Sequence, residues 1–177
     1  MAPEPADLAL LNVALDQTAD LLGRIGDEQL GAPTSCAGWT LSDLVDHVVN
    51  APAHFATTMR GEEPDWSAPP PRIGSDQVTP FRATSEELLA AWRSASEAPP
   101  VPLDWQLAEM AVHTWDLASA LGEPTDGLDP DVAQRGLSFM QANLRPEIRG
   151  EAFGPEQPAP PGADAYTRIA AFAGRAV

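Results

Sequence analysis

Apolar residues recur every three or four positions along most of this sequence, and no segment shows the sustained apolar–polar alternation of a half-buried strand. The first predicted helix covers residues 5–25 and ends before Gly26. Its apolar stripe consists of Leu8, Leu11, Leu15, Ala19 and Leu22. A helix with such a stripe has to bury it against a neighbour. The sequence therefore predicts an all-α protein built as a helical bundle.

Capping residues help to set the limits of the other helices. Thr40 with Asp43 three residues later is typical of a capping box at a helix start. Gly122 closes the fourth predicted helix, and the pair Asp129-Pro130 opens the fifth. The predicted ranges after the first helix are 40–60, 84 or 85 to 97, 103–121, 129–144 and, for a short last helix, 164–173.

A long stretch rich in proline, aspartate and serine, "GEEPDWSAPPPRIGSDQVTP", separates the second and third predicted helices at residues 61–80. A loop of this length is often a lid or a crossover connection. We expect either a cover over a pocket or a solvated connector. The whole chain has 177 residues, which suits one hydrophobic core, so we expect a single domain over residues 1–177.

The charge of the chain excludes two classes of partner. With 26 acidic and 10 basic residues, the formal net charge is −16, and such a field repels nucleic acid and anionic membrane surfaces. No apolar run reaches the roughly 18 residues that a membrane span needs, and the first residues lack the basic region of a signal peptide. Cys36 is the only cysteine, which rules out an internal disulfide. These features predict a cytoplasmic protein.

The segment "EMAVHTWDLASALG" in the fourth predicted helix carries the clearest chemical signal. Glu109 and His113 are four residues apart, so their side chains are neighbours on one face of a helix. The residues around them are mostly apolar, which places the pair near the buried side. A buried carboxylate is costly unless it is paired or coordinated, and zinc takes both ligand types. The spacing therefore favours two ligands of a metal ion.

A third ligand has to come from elsewhere in the chain. His47 lies among apolar residues in the middle of the second predicted helix and is the natural partner across the bundle. His54, two turns further along the same face, is an alternative ligand or a polar group of the pocket. Two histidines and a carboxylate leave a coordination position open, as in catalytic sites. The simpler alternative is a Glu109–His113 hydrogen bond on a helix surface.

Two segments in this order, "TSCAGWTLSDLVDHVV" and "AEMAVHTWDLASALG", resemble the signature segments of the DinB/YfiT-like superfamily. More narrowly, they are similar to its actinobacterial branch related to the metal-binding domain of mycothiol-dependent maleylpyruvate isomerase. The resemblance implies a four-helix core with a divalent metal at one end. We expect this metal to be zinc, with nickel as the alternative. By matching position, the ligands would be His47, Glu109 and His113. It also implies a low-molecular-weight thiol such as mycothiol as cofactor.

Other residues of these motifs admit two interpretations each. Asp116 follows His113 by three residues, and it either orients the imidazole of a ligand or is a plain surface acid. Trp39 and Trp115 are interpreted as packing anchors rather than substrate contacts. Arg145 and Arg149 either bind carboxylates of a thiol cofactor or substrate, or are surface arginines.

The function that we expect is thiol-dependent transfer or isomerisation of a small electrophile. Cys36 has no histidine or basic residue within four positions, so we expect the thiol to come from outside the chain. Because the sequence ends at Val177, without the further domain of the isomerase, we expect transfer chemistry by the bundle alone. The alternatives are a non-catalytic metal-binding bundle with a structural or stress-linked role and, with less support, metal-dependent hydrolysis. We also expect a homodimer.

Overall fold

Six α-helices form the regular structure of the computed structural model, which describes residues 4–65, 68–95, 99, 101–149 and 153–177. No strand occurs within those ranges. The helices are α1 (Pro5–Leu22), α2 (Leu41–Met59), α3 (Val78–Ser94), α4 (Leu103–Leu121), α5 (Pro130–Asn143) and α6 (Ala165–Phe172). The predicted all-α bundle, with a long connection after α2 and short helical elements at its end, is confirmed.

Helix α4 is the centre of the bundle and contacts α1, α2, α5 and α6. Most of its side chains are buried, as expected of a helix that is apolar on nearly every face. It ends at Gly122, whose φ of 69° lies in the left-handed region that favours glycine. The predicted limits of this helix are confirmed. None of the described helices is long and apolar enough to cross a membrane.

The capping box predicted for α2 is present. The Thr40 hydroxyl accepts a bond from the Asp43 backbone N–H at 3.3 Å, and the Asp43 carboxylate accepts one from the Thr40 N–H at 3.0 Å. This cap sets the register of α2, which buries Leu44 and Val48 completely in the core. His47 lies between these two residues and is half-buried at the edge of the core.

The predicted start of α3 at Thr84 or Ser85 is wrong, because the helix begins six residues earlier at Val78. Pro80 lies in the first turn, where a missing backbone N–H breaks no helical bond and proline is tolerated. The Thr84 and Ser85 hydroxyls instead bond to the Phe81 carbonyl. As described, α3 ends at Ser94, and the predicted end at Glu97 lies outside the described residues.

Helix α1 ends at Leu22, three residues before its predicted end.

The connector between α2 and α3 is fastened to α2 over part of its length. Buried Asp46 accepts bonds from the Ile73 N–H at 2.7 Å and from Arg72 Nη1 at 2.9 Å. Asn50 donates to the Pro71 carbonyl at 3.3 Å. Residues 62–65 line a pocket with Phe55, whereas no described connector residue lines the larger cavity over the histidines. Both interpretations of the connector, a cover over the pocket and a solvated connector, stay predictions.

Gly136 of α5 lies closely against the backbone of α4. A Cβ atom added there would lie 2.8 Å from Ala108 Cα, 3.1 Å from Ala108 N and 3.0 Å from Ile169 Cδ1. We expect Gly136→Ala to lower the free energy of unfolding by about 1–3 kcal/mol, because the backbone of α4 cannot yield as a flexible side chain would. Urea unfolding followed by circular dichroism measures this change. Gly127→Ala is the control, since a Cβ atom there meets nothing within 4 Å.

Candidate metal centre

Helices α2 and α4 bring together the three side chains that the motifs single out as ligands. Glu109 Oε1 lies 2.8 Å from His47 Nε2 and 3.3 Å from His113 Nε2. One ligand atom from each residue lies within 4.8 Å of the others. All three side chains are largely buried. The cluster therefore offers two imidazole nitrogens and a carboxylate oxygen to a single point between the helices.

The other nitrogen of His113 is held by Asp116. Nδ1 lies 2.9 Å from Asp116 Oδ2, so the imidazole donates there and directs Nε2 toward Glu109. Asp116 is completely buried, which excludes its interpretation as a surface acid. A carboxylate behind a histidine is the usual means of orienting a metal-binding imidazole.

Asp116 is itself held by residues that the sequence did not single out for this role. Arg175 donates to its carboxylate through Nε at 3.1 Å and Nη2 at 3.0 Å, and Ser35 Oγ donates at 2.5 Å. Cys36 Sγ lies 3.3 Å from Asp116 Oδ2 and 3.5 Å from Arg175 Nη2. Arg175 is 59 residues away from Asp116 along the chain, so no local pattern indicates this contact. The sequence analysis looked for basic residues only within four positions of Cys36 along the chain. In the folded protein, His113 and Arg175 lie close to its sulfur, although both are distant in sequence.

The ionisable groups of the cluster shift one another's pKa values. Burial by itself would raise the pKa of Glu109, but the imidazoles of His113 and His47 hold it well below its usual value. Burial would lower the pKa of His113, but the carboxylates of Glu109 and Asp116 raise it well above its usual value. Burial would also raise the pKa of Asp116, whereas His113 and Arg175 lower it. The carboxylates on both sides of His113 therefore favour its protonated form, with which a metal ion at Nε2 would have to compete.

A cavity of about 640 Å³ lies over the three candidate ligands. Its polar wall comes from the loop before α2 and from the C-terminal segment. The side chains that line this wall are Ser35, Cys36 and Arg175. Its aromatic wall consists of Trp39, Phe55, Trp105 and Phe153. The cluster is thus open to a small molecule on one side.

The two motif tryptophans differ in their environments. Trp115 is buried in the core, as a packing anchor should be. Trp39 is 36% exposed, lines the cavity, and has its ring centroid 5.1 Å from that of His47 and 6.5 Å from that of His113. Trp39 therefore packs against the two imidazoles at the cavity wall rather than in the core, and its interpretation as a packing anchor stays a prediction. It stands beside the candidate ligands, where it can contact a bound molecule.

A second group of metal-binding composition, Cys36, His113 and Asp116, also occurs among the described residues. The guanidinium of Arg175 already donates twice to Asp116 and approaches the sulfur of Cys36. A cation placed there would meet this positive charge at close range in a buried environment. Within the described part of the chain, no arginine is among the hydrogen-bond or ion-pair partners found for His47 and Glu109, so the group of His47, Glu109 and His113 is the better metal site.

The remaining predicted site residues lie outside this cluster. His54 belongs to neither metal-binding group of the described residues, and burial, followed by the charge of His47, lowers its pKa. Arg149 Nη1 donates to the carbonyls of Gly154 at 2.9 Å and Phe172 at 2.7 Å, and so braces the cavity wall. Arg145 is exposed. Neither arginine lines the cavity, and their anion-binding role stays a prediction.

Comparisons with known proteins identify the family of the chain. Two uncharacterised proteins of Mycobacterium tuberculosis, Rv0738 and MT0763, are each 31% identical to the chain in an alignment 175 residues long that covers 93% of this chain and 94% of each relative. No solved structure matches the chain. The sequence pattern described as the mycothiol maleylpyruvate isomerase N-terminal domain matches residues 11–118. The chain belongs to this family, within the DinB-like superfamily, which confirms the resemblance carried by its two motifs.

Proposed function

We propose that His47, Glu109 and His113 hold a divalent metal, zinc in the first place, and that the site activates a low-molecular-weight thiol of the mycothiol type for transfer to a small electrophile. The observation that carries this proposal is the convergence of His47 Nε2, Glu109 Oε1 and His113 Nε2 beneath a cavity. Membership of a mycothiol-related family supports the choice of thiol.

The dimensions of the cluster fit a metal ion. Ligand atoms bound to zinc at about 2.1 Å are about 3.0–3.4 Å apart for bond angles between 90° and the tetrahedral value. Glu109 Oε1 lies 2.8 Å from His47 Nε2 and 3.3 Å from His113 Nε2, close to these spacings, and the ligand atoms of the two histidines lie within 4.8 Å of each other. The bond from His113 Nδ1 to Asp116 leaves Nε2 as the ligand atom.

The residues around the site prepare it for a thiol. A bound divalent metal supplies the Lewis acidity that keeps a thiol deprotonated near neutral pH. Asp116 fixes the ring of His113, and Arg175 fixes Asp116. The Trp39 ring lies beside both imidazoles, while the cavity leaves room for thiol and electrophile together.

The open cavity favours catalysis over a purely structural metal. In structural zinc sites protein ligands fill the coordination sphere, whereas this cluster supplies three ligands and faces a cavity. A reducing cytoplasm is the compartment that suits both a low-molecular-weight thiol and the free Cys36. The proposal includes both transfer of the thiol to a small electrophile and thiol-dependent isomerisation of such a molecule. The homodimer stays a prediction.

Removal of the metal tests the proposal. We expect chelator-treated protein to keep its helical circular dichroism spectrum, because the bundle core is packed independently of the three ligands. We expect the same protein to lose its acceleration of mycothiol conjugation to monochlorobimane, and to regain it on addition of zinc. The measurement is the rate of conjugate fluorescence with full-length protein, with glutathione as the comparison thiol.

Two outcomes would contradict the proposal. If chelation unfolds the protein, the metal is structural, as in domains that are folded only with their ion. If metal-loaded and metal-free protein give the same rate as the uncatalysed reaction, for mycothiol and for glutathione, the site does not perform thiol transfer to this electrophile.

A further inference from the structure

A second pocket, of about 330 Å³, lies beside the candidate metal site. It is formed by α4, α5 and the chain that follows α5. Its walls are almost entirely apolar, and six of the side chains that line it are Trp105, Val112, Phe139, Met140, Leu144 and Ile148. Among the described residues that line it, only Glu109 and His113 are ionisable.

The apolar pocket adjoins the cavity over the cluster. Trp105, Glu109, His113 and Phe153 line both spaces. The candidate ligands Glu109 and His113 therefore stand at the junction of a polar cavity and an apolar pocket. A molecule with one reactive end and one hydrocarbon end could place the first at the junction and the second among the apolar side chains.

Exposed apolar side chains concentrate at these openings. Four large hydrophobic residues of the described chain are exposed, and three of them line one or both spaces: Trp39, Trp105 and Ile148. Trp105 is 43% exposed and Ile148 is 64% exposed. Clustered exposed apolar surface next to a cavity marks a binding site more often than single exposed residues do.

We propose that the apolar pocket binds the hydrocarbon part, an alkyl chain or an aromatic ring, of the electrophile that the site acts on. This inference rests on the proposed function. It restricts the substrate to molecules whose reactive carbon lies next to an apolar group. In the reaction, the sulfur electron pair forms the bond to this carbon, the leaving group departs with the electron pair of its own bond, and the thiol proton passes to solvent.

Binding of a neutral apolar probe tests the pocket without any catalysis. We would titrate N-phenylnaphthylamine into the full-length protein, both zinc-loaded and chelator-treated, and follow its fluorescence. We expect one probe per chain in both forms. We expect Ile148→Glu to weaken binding by about tenfold or more, because it places a charge at the rim of the pocket. Val177→Glu is the matched control, since Val177 is also exposed but lines neither space.

Several results would overturn this inference. The first is no binding to the wild-type protein, and the second is equal binding to Ile148→Glu and wild type. The third result has two parts: light scattering shows a dimer that does not bind the probe, and Ile148→Glu converts this dimer to a monomer. A second copy of the chain would then occupy the apolar pocket. If the probe binds but no metal is found, the pocket stands and the proposed function fails.

If the protein catalyses thiol transfer, steady-state kinetics provide a second test of the apolar pocket. Across a series of alkyl electrophiles, we expect kcat/KM of the wild type to rise with chain length and that of Ile148→Glu to stay nearly flat. Val177→Glu should retain the wild-type slope. A wild-type slope near zero would contradict an apolar substrate class.

Discussion

His113→Ala is expected to remove the metal and the thiol-transfer activity together. His113 supplies one of only three candidate ligand atoms in the cluster, and its imidazole is also the link between Glu109 and Asp116. Outer partners of metal ligands are worth about 10–100-fold in metal affinity, so the loss of a ligand should exceed about a hundredfold. Metal content, measured by inductively coupled plasma mass spectrometry on untagged protein, should fall from near one ion per chain to background.

Two further variants make this result specific. Glu109→Gln keeps the shape of the side chain and removes the charge that attracts the ion, so it should also lose the metal while it retains the fold. His54→Ala is the matched control, because it removes a histidine of α2 that lies outside the cluster. Full metal content in His113→Ala, or metal loss only in His54→Ala, would show that the ligands are other residues. If none of the proteins holds a metal, even after incubation with divalent ions, the cluster is only a set of side-chain hydrogen bonds between α2 and α4.

Asp116→Asn is expected to cost both stability and metal affinity. Asp116 is fully buried and pairs with Arg175, and its carboxylate also holds the proton of His113 Nδ1. Removing one partner of a buried ion pair costs about 3–5 kcal/mol, because the other charge stays buried without compensation. The free energy of unfolding in urea should fall by about this amount, and zinc affinity by about 10–100-fold.

A double variant separates these two effects. Arg175→Met added to Asp116→Asn removes the uncompensated guanidinium, so part of the lost stability should return, whereas the zinc affinity should stay low. Asp16→Asn is the control: Asp16 and Arg82 form an ion pair with more than half of each side chain exposed, worth at most about 1 kcal/mol. Unchanged unfolding and zinc affinity in Asp116→Asn would show that Asp116 neither supports the C-terminal segment nor orients His113.

Helix limits followed from the sequence where local signals decide them. Helix α4 begins and ends as predicted because its helical pattern of apolar residues continues from Leu103 to Leu121 and Gly122 adopts the left-handed conformation that closes it. Helix α2 begins as predicted because Thr40 and Asp43 satisfy the first backbone N–H groups locally. The start of α3 was missed because Pro80 reads as a helix breaker, although in a first turn it breaks no bond.

The sequence by itself determined the all-α class, the family, and the three candidate ligands, since helix spacing and two motifs are local patterns. Only the tertiary structure decided that Asp116 is buried, that Arg175 and Ser35 hold it, and that Trp39 lines the cavity. These contacts join segments that are far apart along the chain. Their formation depends on how the helices and the C-terminal segment pack, and no periodicity or spacing within one segment records that packing.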